Sequence, residues 1–312
     1  MAENNAITFE AATKHYLEHG YVVLPGFLSE EDIRPAQNEL PLVFPTAEEY
    51  HDSTDKDLKA RFAGRANAGI DYFPFASHEW SLLGISPPVA GLAEALLGTS
   101  DVRLYELHNW GKYTGAATYD QRLHRDYGNH TLVVPSRDPT LGVVEMFIYV
   151  NDVPETYGPT HVVSQTHTEG VPLSQLHITR DEYPEIYTHE VSAAGPAGTV
   201  LAYRADTFHR GTSMTAPRGA RFALKLSYRT ISDAPNVWVD RLGANVRLGL
   251  EDNWNGFVER ASCRQLELVG FPPRGHRYWT GETWAEVCRR YPTADMSAFE
   301  PNPVPDSAGR SR

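Results

Sequence analysis

Arg221-Phe-Ala-Leu-Lys-Leu-Ser-Tyr228 is the stretch that decides the fold class. In an extended strand, neighbouring side chains point to opposite faces. Phe222, Leu224, Leu226 and Tyr228 therefore share one face, and Arg221, Ala223, Lys225 and Ser227 the other. Val144–Val150 repeats the arrangement, with Val144, Met146, Ile148 and Val150 opposed to Glu145, Phe147 and Tyr149. The oily faces need a cover, which N-terminal helices can supply. The mixed faces suit the lining of a barrel that holds a polar site, although a sheet with one solvated face shows the same alternation.

Working outward, runs of β-branched and aromatic residues recur at 102–110, 131–134 and 198–204, besides 142–150 and 221–230, with Gly, Pro, Asn and Asp between them. No helical segments alternate with these runs, which argues against a doubly wound parallel sheet. The pattern predicts a mainly β chain with flanking helices, an antiparallel sandwich or jelly roll. Upstream, residues 8–19 have helical spacing, with Phe9, Ala12 and Tyr16 on one face and Gly20 as a stop. The strand Tyr21–Leu24 follows, and then Ser29 as an N-cap ahead of Glu30, Glu31 and Asp32. Beyond residue 232 the chain turns aromatic and proline-punctuated, with Trp238, Trp254, Phe257, Phe271, Trp279 and Trp284. Three parts result: a core over 1–231, an extension over 232–300 packed on that core with the pocket mouth as its expected seat, and a tail over 301–312 that reads as disordered.

Composition narrows the partners. With 312 residues and 41% hydrophobic content, the chain can bury a core without staples. Its two cysteines, Cys263 and Cys288, make neither a disulfide framework nor a structural zinc site. Forty acidic against 28 basic residues give a net charge of −12, the wrong sign for nucleic acid or anionic lipid. The first residues lack the pattern of a signal peptide, and the apolar stretch Tyr21–Leu28 is too short to span a bilayer. A cytoplasmic protein with a small-molecule substrate, no nucleic-acid partner and no membrane partner is expected; oligomeric state is not legible. One local departure is the basic cluster Arg204, Arg210, Arg218, Arg221, Lys225 and Arg229, interrupted by the single acid Asp206. Such a cluster in an acidic chain fits a small anionic ligand.

Thirteen histidines raise the question of a metal. A His and an Asp two apart on a strand project the same way and can share an ion, and His124-Arg125-Asp126 meets that condition. His167-Thr168-Glu169 is its rival, set in a stretch without strand pattern. A third ligand must come from elsewhere; His209 ends a strand that runs into a turn, and Arg221 follows on a mixed face. An arginine there presents a fork that matches a carboxylate.

Together these residues resemble the phytanoyl-CoA dioxygenase branch of the Fe(II)/2-oxoglutarate-dependent oxygenases. The resemblance runs from His19-Gly-Tyr-Val-Val-Leu-Pro-Gly-Phe-Leu-Ser-Glu-Glu-Asp-Ile33 through Leu123-His-Arg-Asp-Tyr127 and Asn151–His167 to His209-Arg-Gly211 and Arg221-Phe-Ala-Leu224. It implies a double-stranded β-helix, a cupin-like jelly roll, with Fe(II) held by His124, Asp126 and His209 and with 2-oxoglutarate anchored by Arg221. The implied reaction uses O2 to hydroxylate, or otherwise oxidise at a C–H bond, a small organic molecule, releasing succinate and CO2. Phe147 stands where relatives border 2-oxoglutarate and Lys112 where relatives often carry a Lys, and both are nominated for cofactor binding. His108, Trp110, Tyr127 and Tyr149 are nominated for the substrate pocket. Some positions depart from the family pattern: Ser164-Gln-Thr166 replaces Pro-Gly-Ser, and an enlarged turn before Arg221 makes Arg218 a rival anchor. Relatives that carry Gly or Ala in place of the carboxylate are halogenases, so Asp126 favours hydroxylation. The competing reading is a non-catalytic or zinc-bound jelly roll that only binds a ligand.

Overall fold

The Thr8 hydroxyl accepts the Ala11 amide at 3.3 Å, which starts α1 (Phe9–His19), and Gly20, at φ 79°, ends it. In this computed structural model, residues 8–64, 68–116, 120–126, 142–173, 175–230, 251–269, 271, 273–275, 279 and 281–301 are described. β1 (Tyr21–Leu24) follows, and Ser29 with Asp32 closes a capping box on α2 (Glu30–Asn38). Four short helices come next: α3 (Ala47–Asp52), α4 (Lys56–Phe62), α5 (His78–Leu83) and α6 (Pro87–Leu97), with β2 (Ile70–Tyr72) between the second and third. Thr46, Asp55 and Ser77 cap the first three of these through their side chains.

The remaining described strands are β3 (Val102–Tyr113), β4 (Leu123–His124), β5 (Val143–Tyr149), β6 (Thr160–Val163), β7 (His177–Ile178), β8 (Glu190–Ser192), β9 (Val200–Arg204), β10 (His209–Gly211) and β11 (Ala220–Thr230). The short helix α7 (Pro184–Tyr187) precedes β8. They form a six-stranded sheet in the order β1-β9-β5-β11-β3-β2 and a five-stranded sheet in the order β7-β4-β10-β6-β8. Every pairing within them is antiparallel, as a jelly roll requires. The expected strand at 131–134 lies outside the described residues.

The alternation read in two strands holds in space. Val144, Met146, Ile148, Val150, Phe222, Leu224, Leu226 and Tyr228 all enter one large apolar cluster on the outer face of the six-stranded sheet. Its cover comes from α1 (Ala12, Tyr16), α5 (Trp80, Leu83) and α6 (Val89, Leu92, Ala93, Leu96). His78–Leu97 is apolar and long enough in composition to cross a membrane, yet it is 61% buried against the protein's own core as two helices. The inner face of the same sheet meets the five-stranded sheet through Phe147, Tyr149, Leu201, Tyr203 and Ala223, packed with Val153, Val162 and Ala193. Each fully buried side chain of this size contributes about 1.5–3 kcal/mol.

The C-terminal segment adds α8 (Glu251–Arg260), α9 (Cys263–Leu268) and α10 (Gly281–Arg290). Its described apolar residues, Phe257, Val258, Leu266, Leu268, Trp279 and Phe299 among them, join the outer cluster. The described part of the extension thus sits against the helix-covered face, where its apolar side chains find the larger oily surface; residues 232–250 of the extension lie outside the described residues. The expected disordered tail lies outside the described residues beyond Pro301.

Candidate metal centre and anion cavity

Strand register gathers the histidines. His209 of β10 is the direct antiparallel partner of His124 of β4, so their rings stand side by side with centroids 4.5 Å apart. Asp126, two residues beyond His124, turns to the same side. Its Oδ1 lies 3.5 Å from His124 Nε2, and its Oδ2 lies 3.4 Å from His209 Nε2. One ligand atom from each of the three falls within 4.8 Å of the others, a spacing that one ion can bridge. The intervening Arg125 points away: Nε donates to the Asp206 carbonyl at 2.8 Å and Nη1 to the Pro172 carbonyl at 2.7 Å. That alternation anchors the loop behind the centre while presenting both ligand candidates in front.

The far nitrogens of both rings are engaged. His124 Nδ1 faces the Arg122 carbonyl at 3.0 Å and His209 Nδ1 the Thr207 carbonyl at 3.2 Å. A carbonyl only accepts, so each Nδ1 carries the proton and each Nε2 keeps its lone pair toward Asp126. Burial and the adjacent His209 push the His124 imidazole down to about 4, so it stays neutral near neutral pH. Burial opposes the Asp126 charge, yet the neighbouring His209 and Lys225 outweigh burial and hold the carboxyl well below its ordinary range. Burial, and then the Asp126 charge, raises the Tyr203 phenol, which remains a donor to Asp126 Oδ2 at 3.3 Å. Two imidazoles and one carboxylate are the donor set suited to non-haem iron with open positions.

The centre opens into a cavity of about 350 Å³. Successive inward positions on β3 are Glu106, His108, Trp110 and Lys112, and all four line it, together with Ile70, Tyr72, Gln121, Phe147, Thr160, Gly211, Arg221 and Lys225. Register places Lys112 directly opposite Arg221 on β11. Both are buried, at 1% and 4% exposure, and burial followed by the Arg221 charge pulls the Lys112 ammonium well below its ordinary range. Two basic side chains held side by side away from water repel each other, and an anion placed between them would relieve that repulsion.

Arg218, the rival anchor, is more than half exposed and pairs with Asp52 at 2.6 Å. His167 stacks on His189 at 3.8 Å, and Glu169 is exposed, so that pair stays apart from the centre. Tyr149 is not in the cavity lining; its hydroxyl accepts the Thr160 amide at 2.9 Å. Tyr127 lies outside the described residues. His209, expected at a strand–turn junction, opens a short strand of its own. Sequence reasoning gave no site role to Glu106 and Tyr203 and read Lys225 only as part of the basic cluster, although their inward strand positions carried the signal. Lys225 donates to Glu145 and Ser227 and stands 3.7 Å from Glu106 and 3.8 Å from Asp126.

Comparison with known proteins agrees with this architecture. The six-strand-and-five-strand fold is similar to the crystal structure of the non-heme alpha ketoglutarate dependent epimerase SnoN from nogalamycin biosynthesis, at 20% identity and TM-score 0.53, over 71% of this chain and 83% of that one. It is similar to the carbocyclase SnoK from the same biosynthesis at 22% identity and TM-score 0.51, over 75% and 89% of the two chains. EctD from S. alaskensis, in its apoform, matches at 18% identity and TM-score 0.51, over 77% and 84%. No curated protein matches the sequence. The profile described as phytanoyl-CoA dioxygenase (PhyH) matches residues 16–222, two-thirds of the chain, spanning every candidate ligand and the paired cations. The chain therefore belongs to the phytanoyl-CoA dioxygenase family, non-haem oxygenases that use Fe(II), 2-oxoglutarate and O2.

Proposed function

We propose that His124, Asp126 and His209 hold the Fe(II) of this enzyme, and that Lys112 and Arg221 receive the distal carboxylate of 2-oxoglutarate, with Phe147 bordering it. The observation that carries the reading is the convergence of three ligand atoms within 4.8 Å at the wall of a cavity that also contains two buried, cross-strand cations. When bound, iron and 2-oxoglutarate activate O2 for oxidation of a substrate C–H bond, with release of succinate and CO2. The chain's own contribution is orientation. Carbonyls of Arg122 and Thr207 fix both imidazoles with Nε2 forward, and Tyr203 donates to Asp126. His108 and Trp110 line the remaining cavity and are assigned to substrate. A small organic molecule fits a cavity of this size, about 350 Å³.

We further propose residues 1–231 as the catalytic core, with 232–300 as an extension that braces it. The two cysteines are unpaired thiols, which fits the cytoplasm as the compartment.

Anaerobic titration with Fe(II) and 2-oxoglutarate tests the assignment through the visible charge-transfer band of the chelate. The wild type is expected to show the band. Asp126→Ala is expected to lose it, and Arg221→Ala to weaken 2-oxoglutarate by roughly 30-fold or more, about 2 kcal/mol. Iron binding without a band would exclude the paired cations as the 2-oxoglutarate anchor. Absence of iron binding would leave a jelly roll that only binds a ligand.

A further inference from the structure

Inward positions on neighbouring strands of the large sheet line up in rows across the cavity wall. One row runs from Tyr72 of β2 through His108 of β3 and Lys225 of β11 to Phe147 of β5, each the direct partner of the next, and all four line the cavity. Lys225 stands 3.8 Å from Asp126, so this row crosses the wall beside the three ligand candidates. His108 lies one strand nearer the β2 edge, about 4.8 Å along the sheet. Two residues further along β3 comes Trp110, and two beyond that Lys112 with its partner Arg221. The wall between the ligand candidates and the β2 edge is thus formed by His108 and the rings on either side of it.

His108 is 8% exposed, yet among the described residues no hydrogen bond holds its ring. Its Nδ1 is buried and faces Glu106 Oε1 at 3.5 Å without a hydrogen bond, and Nε2 is left to the cavity that the ring lines. Buried polar groups are ordinarily paired, so a buried imidazole with neither nitrogen bonded lacks a partner that only the cavity can bring. The surroundings of the ring are aromatic. Tyr72 stands edge-on to it with centroids 6.0 Å apart, and Trp110 edge-on at 6.2 Å. The indole is fixed in place, because its N–H donates to the Ala68 carbonyl at 3.1 Å. Tyr72 is 46% exposed and marks the solvent side of the row.

We propose that the substrate is a ring-bearing alcohol, whose hydroxyl pairs with His108 Nε2 while its ring packs against Tyr72 and Trp110. This assignment rests on the reading that Lys112 and Arg221 take 2-oxoglutarate, which leaves the His108 side of the cavity to substrate. A hydroxyl both donates and accepts, so it completes the imidazole in either tautomer, whereas an ether, a carbonyl or a halide can only accept. The two aromatic side chains supply large apolar contact to a ring at little cost in side-chain freedom. An analogue without the hydroxyl would cover Nε2 and leave it unpaired, the kind of mismatch that separates close analogues most sharply.

The test uses the full chain loaded with Zn(II), which is redox-inert, and with 2-oxoglutarate. Calorimetric titration compares 2-phenylethanol with 2-fluoroethylbenzene, which has nearly the same shape but cannot donate a hydrogen bond. The alcohol is expected to bind at least about fivefold more tightly. His108→Phe keeps a ring in the wall and is expected to remove or reverse that preference while 2-oxoglutarate binds as before. His108→Gln restores a polar group and is expected to recover part of it. Tyr72→Ala, at an exposed position that does not endanger folding, is expected to weaken both probes alike, by about threefold. A fluoride that binds as tightly as the alcohol would overturn the proposal, as would a preference that survives His108→Phe. Failure of both probes on a protein that holds 2-oxoglutarate would overturn it too, and a Tyr72→Ala variant that spares both would overturn the placement of the ring. Failure of 2-oxoglutarate itself to bind would instead remove the reading on which the proposal rests.

Discussion

Removing the Lys225 ammonium is a severe change, because Glu145 is 0% exposed and Glu106 only 4%. Breaking a buried ion pair from one side leaves an uncompensated charge and costs about 3–5 kcal/mol. Lys225→Met is expected to lose that much by urea denaturation, and Lys225→Met/Glu145→Met to recover most of it; a near-neutral single variant would show that water reaches the network. Glu190 makes a different prediction. Burial alone would raise its carboxyl, but His161, 3.6 Å away, and the hydrogen-bonded Arg210 hold it down to about 2, against an ordinary 4.5. The folded state then binds fewer protons than the unfolded chain. The contribution is complete above pH 4.5 and disappears as pH falls toward 2. Glu190→Gln should therefore lie below wild type in Tm at pH 6 and converge on it toward pH 2; parallel curves would count against the network. At this scale the chain was readable where chemistry is rare: His124, Asp126 and His209 stood out by type and order. Glu106, Lys225 and Glu190 did not, since a charged residue on a strand is usually solvated and its burial is decided by partners far along the chain.

Strands conveyed their faces through alternation because each side of the large sheet meets a different environment, oily helices outside and a polar cavity within. Register was not legible. Nothing local to Lys112 or Arg221 says that they will be direct partners, yet that pairing carries the anion receptor proposed for 2-oxoglutarate. The helices between 30 and 97 were also largely missed, because six to eleven residues give too few turns for periodicity to show. His209 was read as ending a strand because a three-residue strand has no pattern of its own. Turn geometry at the start of β9 yields a prediction at this scale. Gly198 has φ +81°, and a Cβ there would stand 2.3 Å from the Leu28 carbonyl oxygen. Its carbonyl also accepts the Leu28 amide at 3.0 Å, while its amide donates to Tyr149 at 2.8 Å, so the turn has little room to relax. Gly198→Ala is expected to destabilise the protein by about 2 kcal/mol or more in urea denaturation. A loss below about 0.5 kcal/mol would mean that the turn yields easily.

At the scale of the molecule, the aromatic extension was readable as a packing segment but not as to where it packs, because both the cavity mouth and the oily outer face would accept such residues. The structure assigns its described part to the outer face, where Phe257 is 0% exposed and meets Phe73 edge-on at 4.8 Å. Position and function separate cleanly here. A segment over the mouth would influence 2-oxoglutarate binding more than folding, whereas a segment on the outer face acts through the core. Phe257→Ala removes a fully buried ring and is expected to cost about 3–5 kcal/mol. Its affinity for 2-oxoglutarate, measured at a temperature where the variant remains folded, should stay unchanged. A chain ending at residue 250 uncovers Phe73 and the part of the outer cluster beside α5, and should bind a hydrophobic dye and aggregate. If Phe257→Ala instead weakened 2-oxoglutarate while leaving the melting temperature intact, the extension would be acting on the cavity, and the outer-face packing would not be its principal role.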